Sequence, residues 1–124
     1  MYLTNDELKE LVLEDFKDIT TDIEDKFNLY IEQGNEMGTI IHYGFFDGPE
    51  LVGYSTIVYN ESVIQMGFSK AYNYNGVKQI YLQLKQTRKD FPNLPILTDG
   101  TNWNHCKNNV IPSGKFKGYY EWIV

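Results

Sequence analysis

Apolar residues in the first third of the chain recur at Leu8, Leu11, Val12, Phe16 and Ile19, with acids filling the positions between them. That three-to-four-residue spacing predicts an amphipathic helix with one buried stripe. Thr4-Asn5-Asp6-Glu7 has the form of a capping box at its start, Thr4 accepting from the third helical amide while Glu7 reaches back. Thr21-Asp22-Ile23-Glu24 repeats the pattern and predicts a second helix, with Ile23, Phe27, Tyr30 and Ile31 as its stripe and Gly34 as its terminator.

From residue 38 the pattern changes. Thr39 to Phe46 is rich in β-branched and aromatic residues, Asp47-Gly48-Pro49-Glu50 reads as a turn, and Leu51 to Tyr59 follows as an antiparallel partner. Asn60-Glu61 leads into a third strand, Ser62 to Ser69, which completes a meander. Gly53 and Gly67 inside strands predict bulges or close backbone approaches. Lys70 to Gly76, a loop of asparagine and tyrosine, opens a helix over about Val77 to Lys89 with Val77, Ile80, Tyr81 and Leu84 on one face. Phe91 to Pro95 stops it, and Ile96-Leu97-Thr98 reads as a short strand. Asp99 to Asn109 carries helix-start signals at Asp99 and Thr101, and Gly114 to Val124 closes as strand. The expectation is one α/β domain, α+β in stricter terms, over residues 1–124: an acidic helical pair in 1–36 and a sheet-bearing body in 38–124, with helices flanking a mixed, mainly antiparallel sheet.

Charge sharpens this division. The 124 residues carry a net charge of -6, but residues 1–36 hold 11 acids and 3 lysines, a net of -8, and the remainder holds 8 basic and 6 acidic residues, a net of +2. The acid run reads as the solvated face of two helices or, alternatively, as a surface for a protein partner. A polyanion would be repelled by it, so nucleic acid is not expected as a partner. A single cysteine excludes an intramolecular disulfide framework, and no Cys/His spacing fits a structural zinc site. No segment approaches the roughly 20 apolar residues of a membrane span, and the acidic amino end is unlike a signal peptide. The expected location is the cytoplasm of a bacterium or phage-infected cell. One alanine and one arginine against 11 asparagines, 11 isoleucines and 10 tyrosines favour AT-rich codons, as in a low-GC bacterium or its phage.

The element order, with a loop-to-helix step straight after the third meander strand, resembles the GNAT superfamily of N-acetyltransferases. The family's Q/R-x-x-G-x-G/A signature aligns with Asn73-Tyr74-Asn75-Gly76-Val77-Lys78. Gly76 and Val77 match; Asn73 stands where glutamine or arginine is usual, and Lys78 where glycine or alanine is usual. Ile96 to Thr98, Asn102 or Asn104, and Gly114-Lys115-Phe116 could occupy later family positions, while only Met1-Tyr2-Leu3 precede the first helix. The resemblance implies that acetyl-CoA binds at Asn73, Tyr74, Asn75, Gly76, Val77 and Lys78 and at the adjoining strand end near Phe68, and that acetyl passes to an amine. Successive amides at a helix amino end favour such an anion whatever the family. No metal is expected, and no residue is assigned a catalytic role.

Other residues carry chemistry of their own. His42 and His105 lie 63 residues apart and would have to converge to act together, and Cys106 follows His105 too directly to face it. Glu50 and Glu61 sit at turns, either as solvated carboxylates or as a base for an amine. Tyrosines crowd the body, and Tyr72, Tyr74 and Trp103, in polar loops, are the candidates for a binding surface. Two functional readings therefore stand open: an N-acetyltransferase, and a catalytically inactive relative or small phage-type protein that binds and modulates a host protein through the acidic helices or the Tyr/Trp loops. The last strand could also pair with a second copy to form a homodimer.

Overall fold

The computed structural model describes residues 1–72, 76–98, 110–114 and 119–123, with the backbone alone for 76–80. Helix α1 (Asn5–Phe16) starts as its capping box requires: the Glu7 amide donates to Thr4 Oγ1 at 3.1 Å, and the Thr4 amide donates to Glu7 Oε1 at 3.0 Å. It buries Leu8 and Val12 completely. Ile19 lies beyond its end and is 68% exposed, so the buried stripe stops at Phe16.

Helix α2 (Ile23–Met37) departs from expectation at both ends. Its cap position is Asp22, in the left-handed region at φ 57° and without a side-chain cap bond, so the Thr21/Glu24 box does not form. Nor does it end at Gly34, which is buried mid-helix because the first strand packs against it; a Cβ there would lie 2.7 Å from Ile40 Cδ1. The helix ends three residues later, where the Gly38 amide donates to the Gly34 carbonyl at 2.9 Å.

The meander forms, with its third strand two residues later than read: β1 (Thr39–Asp47), β2 (Glu50–Tyr59) and β3 (Ile64–Ala71) pair antiparallel, so Lys70 and Ala71 belong to the strand rather than to the loop. The Asn60 side chain accepts from the amides of Ser62 and Val63 and makes the second turn. Helix α3 (Gly76–Asp90) then returns the chain to β4 (Ile96–Thr98), parallel to β3. Two short strands complete a sheet of order β1-β2-β3-β4-β6-β5: β5 (Val110–Pro112), which three residues were too few to reveal by periodicity, and β6 (Tyr120–Trp122), narrower than the expected closing strand. The helix expected near Asp99 lies outside the described residues. Met1 to Leu3 lie along the outer edge of β1, with the Leu3 amide on the His42 carbonyl at 2.8 Å and the Gly44 amide on the Met1 carbonyl at 2.7 Å.

Helices cover both faces, as expected for this α+β class. Tyr43, Ile57, Ile64, Leu84, Ile96, Val110 and Trp122 form the core on the α3 side; Leu8, Val12, Phe27 and Tyr54 form the core under α1 and α2. On α3 from residue 81 onward the buried positions are Gln83, Leu84 and Thr87, whereas Tyr81 turns outward at 41% exposure. Among the described residues, no helix is long and apolar enough to cross a membrane.

Both strand glycines mark bulges. The β1–β2 register slips beside Gly53, and the β2–β3 register slips between Ser55–Ser69 and Ile57–Met66, leaving one extra residue in β3 at Gly67-Phe68. That extra residue breaks the alternation, so Met66 packs toward α3 while Phe68 packs toward α1 and α2. Gly67 has no room for a side chain: a Cβ would meet the Tyr30 ring and hydroxyl at 2.5 to 2.7 Å. Gly67→Ala is therefore expected to cost about 1–3 kcal/mol in urea unfolding, and much less in a Tyr30→Leu background, where the obstructing ring is gone. An equal loss in both backgrounds would remove Tyr30 as the cause.

Candidate functional site

Three features have the geometry of sites. The first lies where β3 hands over to α3. β4 lies between β3, which it meets at Ile64–Ile96 and Gln65–Leu97, and β6, which it meets at Leu97–Glu121 and Thr98–Tyr120. Past the end of β4 at Thr98, the Met66–Ala71 stretch of β3 has no strand partner on that side among the described residues, and Gly67 within it is exposed. The chain leaves β3 after Ala71 and enters α3 at Gly76, whose amide-rich amino end lies beyond the last residue of β3.

Of the residues expected to hold acetyl-CoA, Asn73, Tyr74 and Asn75 lie outside the described residues, and Gly76, Val77 and Lys78 form the first turn of α3 by backbone. The Phe68 ring is packed among Phe16, Phe27 and Tyr30, with centroids at 5.7, 6.1 and 5.4 Å, so what Phe68 offers at the strand end is backbone rather than a ring. A buried layer that the sequence did not single out lies beneath α3. Gln83 is 1% exposed, and among the described residues neither its side-chain oxygen nor its nitrogen has a partner, nor does the buried Ser55 hydroxyl on β2.

The second feature centres on His42, which is 4% exposed on β1. Its Nε2 lies 2.6 Å from Asn5 Oδ1 of α1, and its Nδ1 lies 2.8 Å from Thr56 Oγ1 of β2. The Tyr30 hydroxyl of α2 is 3.1 Å from the same Thr56 oxygen, and the carbonyl of Ile41 is a further acceptor for Thr56 at 3.1 Å. Because Thr56 has one proton, a neutral ring that donates Nε2–H to Asn5 takes that proton at Nδ1 in place of the Ile41 carbonyl, with Tyr30 donating to Thr56. Burial lowers the His42 pKa to about 4 and pushes the Tyr30 hydroxyl up to about 12.

Hydroxyl, imidazole and amide in a row have the connectivity of an activated nucleophile. Access argues otherwise. Thr56 is fully buried, and the cleft of about 420 Å³ over this region is lined by Tyr2 to Asn5 and Ile40 to His42, not by Thr56. The arrangement therefore joins α1, α2, β1 and β2. His105 and Cys106 lie outside the described residues; Glu50 and Glu61 are exposed at their turns.

The third feature is a groove of about 570 Å³ between α1 and the tip of the β1–β2 hairpin. Leu3, Leu11, Phe46, Leu51 and Tyr72 give it an apolar lining, and Glu7, Glu10, Glu14 and Asp15 line it from α1. Asp15 accepts from the hydroxyls of Tyr54, at 2.8 Å, and Tyr72. Burial and the adjacent Asp15 carboxylate hold both tyrosines well above the usual phenol range, so they remain donors. Tyr72 thus belongs to a surface, as its loop position suggested, while Tyr54 anchors from the core. Tyr74 and Trp103 lie outside the described residues.

No protein-family model matches the chain, and no curated protein matches it in sequence. Among solved structures, the chain is similar to ElaA of Escherichia coli at 18% identity and a TM-score of 0.46; the match covers 68% of this chain and 66% of that one.

The buried histidine has a direct consequence for pH dependence. Unfolded His42 titrates near 6.5 and the folded residue near 4, so between those values the unfolded state binds more protons and stability falls as pH falls. The loss should total on the order of 2–3 kcal/mol across that window. Urea midpoints measured from pH 7 to pH 4 should fall more steeply for the wild-type chain than for His42→Asn. Parallel curves would show that His42 is not held neutral.

Proposed function

We propose that this chain binds acetyl-CoA at the β3-to-α3 junction and transfers its acetyl group to an amine. The observation that supports the reading most directly is the strand-to-helix step, in which β3 ends at Ala71 and α3 begins at Gly76. Backbone donors and acceptors left unpaired along such a strand have a spacing that suits an extended chain bearing amides, and Gly67 on β3 is exposed. Acetyl-CoA has such an amide-bearing arm between its thioester and its pyrophosphate. The amino end of α3 lies beyond that strand end, where amides and dipole favour the pyrophosphate. The unpaired Gln83 amide and Ser55 hydroxyl leave further hydrogen bonds open in the layer below α3.

In this reading the amine nitrogen attacks the thioester carbonyl, the carbon–sulfur bond breaks, the thiolate leaves and the nitrogen loses a proton. The donor supplies the activated acyl group. The protein supplies alignment along β3 and an amide-lined anion site, and no covalent intermediate on a side chain is needed.

A second reading is an inactive relative that modulates a host protein. It is supported by the exposure of every acid in residues 1–36 except Asp15, which leaves two helices with a broad anionic surface.

Titration calorimetry separates the two readings. Acetyl-CoA is expected to bind in the micromolar range, and Lys78→Glu to weaken it at least fivefold by placing a carboxylate in the first turn of α3. Absence of binding at high micromolar concentration by both the wild-type chain and Lys78→Gly would overturn the acetyltransferase reading.

A further inference from the structure

We propose that Gln83 and Thr87 of α3 and Ser55 of β2 hold ordered water in a buried polar layer between helix and sheet. Gln83 and Thr87 are each 1% exposed, and Ser55 is fully buried. Among the described residues, the side-chain oxygen and nitrogen of Gln83 and the hydroxyls of Thr87 and Ser55 have no hydrogen-bond partner. Leaving such groups dry is costly, and native interiors seldom do so.

Their places in the fold bring them into one layer. Gln83 and Thr87 stand one turn apart on α3, on the side that packs against the sheet. Ser55 faces the same way, because side chains alternate along β2 and Ile57, two residues on, lies in the core beneath α3 with Tyr43. Tyr43 is also the direct neighbour of Ser55 on β1. Thr87 adjoins that tyrosine: burial and Asp90 raise the Tyr43 phenol, while Thr87 lowers it. The Tyr43 proton goes to Asp90 at 3.0 Å, so the Thr87 hydroxyl gains no partner from it.

The layer has room as well as polarity. On its other side Ser55 pairs with Ser69 of β3, so two small polar side chains lie side by side on a face that elsewhere carries Tyr43, Ile57 and Ile64. Water occupies such a space where it finds roughly two to four partners. Gln83 offers both a donor and an acceptor, and each hydroxyl offers either. All three side chains are neutral, so an ion would find no counter-charge among them. The proposal concerns the chain free of acetyl-CoA, since a donor that reached these atoms would displace the water.

A high-resolution crystal structure of the full chain without acetyl-CoA is expected to show ordered water within hydrogen-bond distance of Gln83 and Ser55. Urea unfolding supplies a second readout. Gln83→Met, which keeps the length of the side chain but removes its amide, should lower the midpoint, and Ser55→Ala should do the same. Together they should cost less than the sum, with a coupling of at least threefold in the unfolding constant, because the two side chains share water. In a dry layer, removing an unpaired amide relieves a penalty and Gln83→Met raises the midpoint instead. Should a variant fail to fold, the structure of the unaltered chain decides. A raised midpoint, additive losses, or a crystal structure in which Gln83 is packed without water or bonded to a protein group would overturn the proposal.

Discussion

Thr56 has a single proton and stands within hydrogen-bond reach of three groups: the His42 ring, the Tyr30 hydroxyl and the Ile41 carbonyl. Through His42 it also reaches Asn5, the first residue of α1. One buried oxygen thus links both amino-terminal helices to the first two strands of the meander. Apolar packing holds these layers together without directionality; this network fixes how α1 and α2 sit on the sheet. The one Thr56 proton serves either a neutral imidazole at Nδ1 or the Ile41 carbonyl, not both. The placement of α1 therefore rests on a titratable group kept from water.

That placement makes two surfaces from one helix. The buried side of α1 carries Leu8 and Val12 into the core, while Leu11 and the acids beside it border the groove. Asp15 connects the two, because it accepts both from Tyr54, rooted in the core, and from Tyr72, at the end of β3. The wall of the groove and the strand that leads to α3 are consequently held by the same carboxylate.

The bulge at Gly67-Phe68 has a similar double effect. It sends Phe68 into the aromatic cluster under α1 and α2 rather than into the layer with Met66. It also follows directly on the last described β3–β4 pair, Gln65–Leu97. A glycine is required there because Tyr30, itself tied to Thr56, occupies the space of a side chain.

Much of this architecture was legible along the chain. The capping box at Thr4, the meander, α3 and the switch from helical to strand period all depend on residues two to four positions apart, and that is the range over which local sterics and hydrogen bonds act. Gly53 and Gly67 announced their bulges for the same reason. The end of α2 was misread because the reason for Gly34 is Ile40 on a neighbouring element, not a local turn. The packing of the Phe68 ring was not legible because a one-residue slip reverses the face of every following side chain. His42 meets Asn5 across 37 residues and Asp15 meets Tyr72 across 57; no periodicity encodes such meetings. The sequence by itself determined the elements and the uneven distribution of charge. Only the stacking of faces decided which polar groups met in the dark interior of the sheet and which acids were left to line a groove, because contact between distant segments follows from packing and register rather than from spacing.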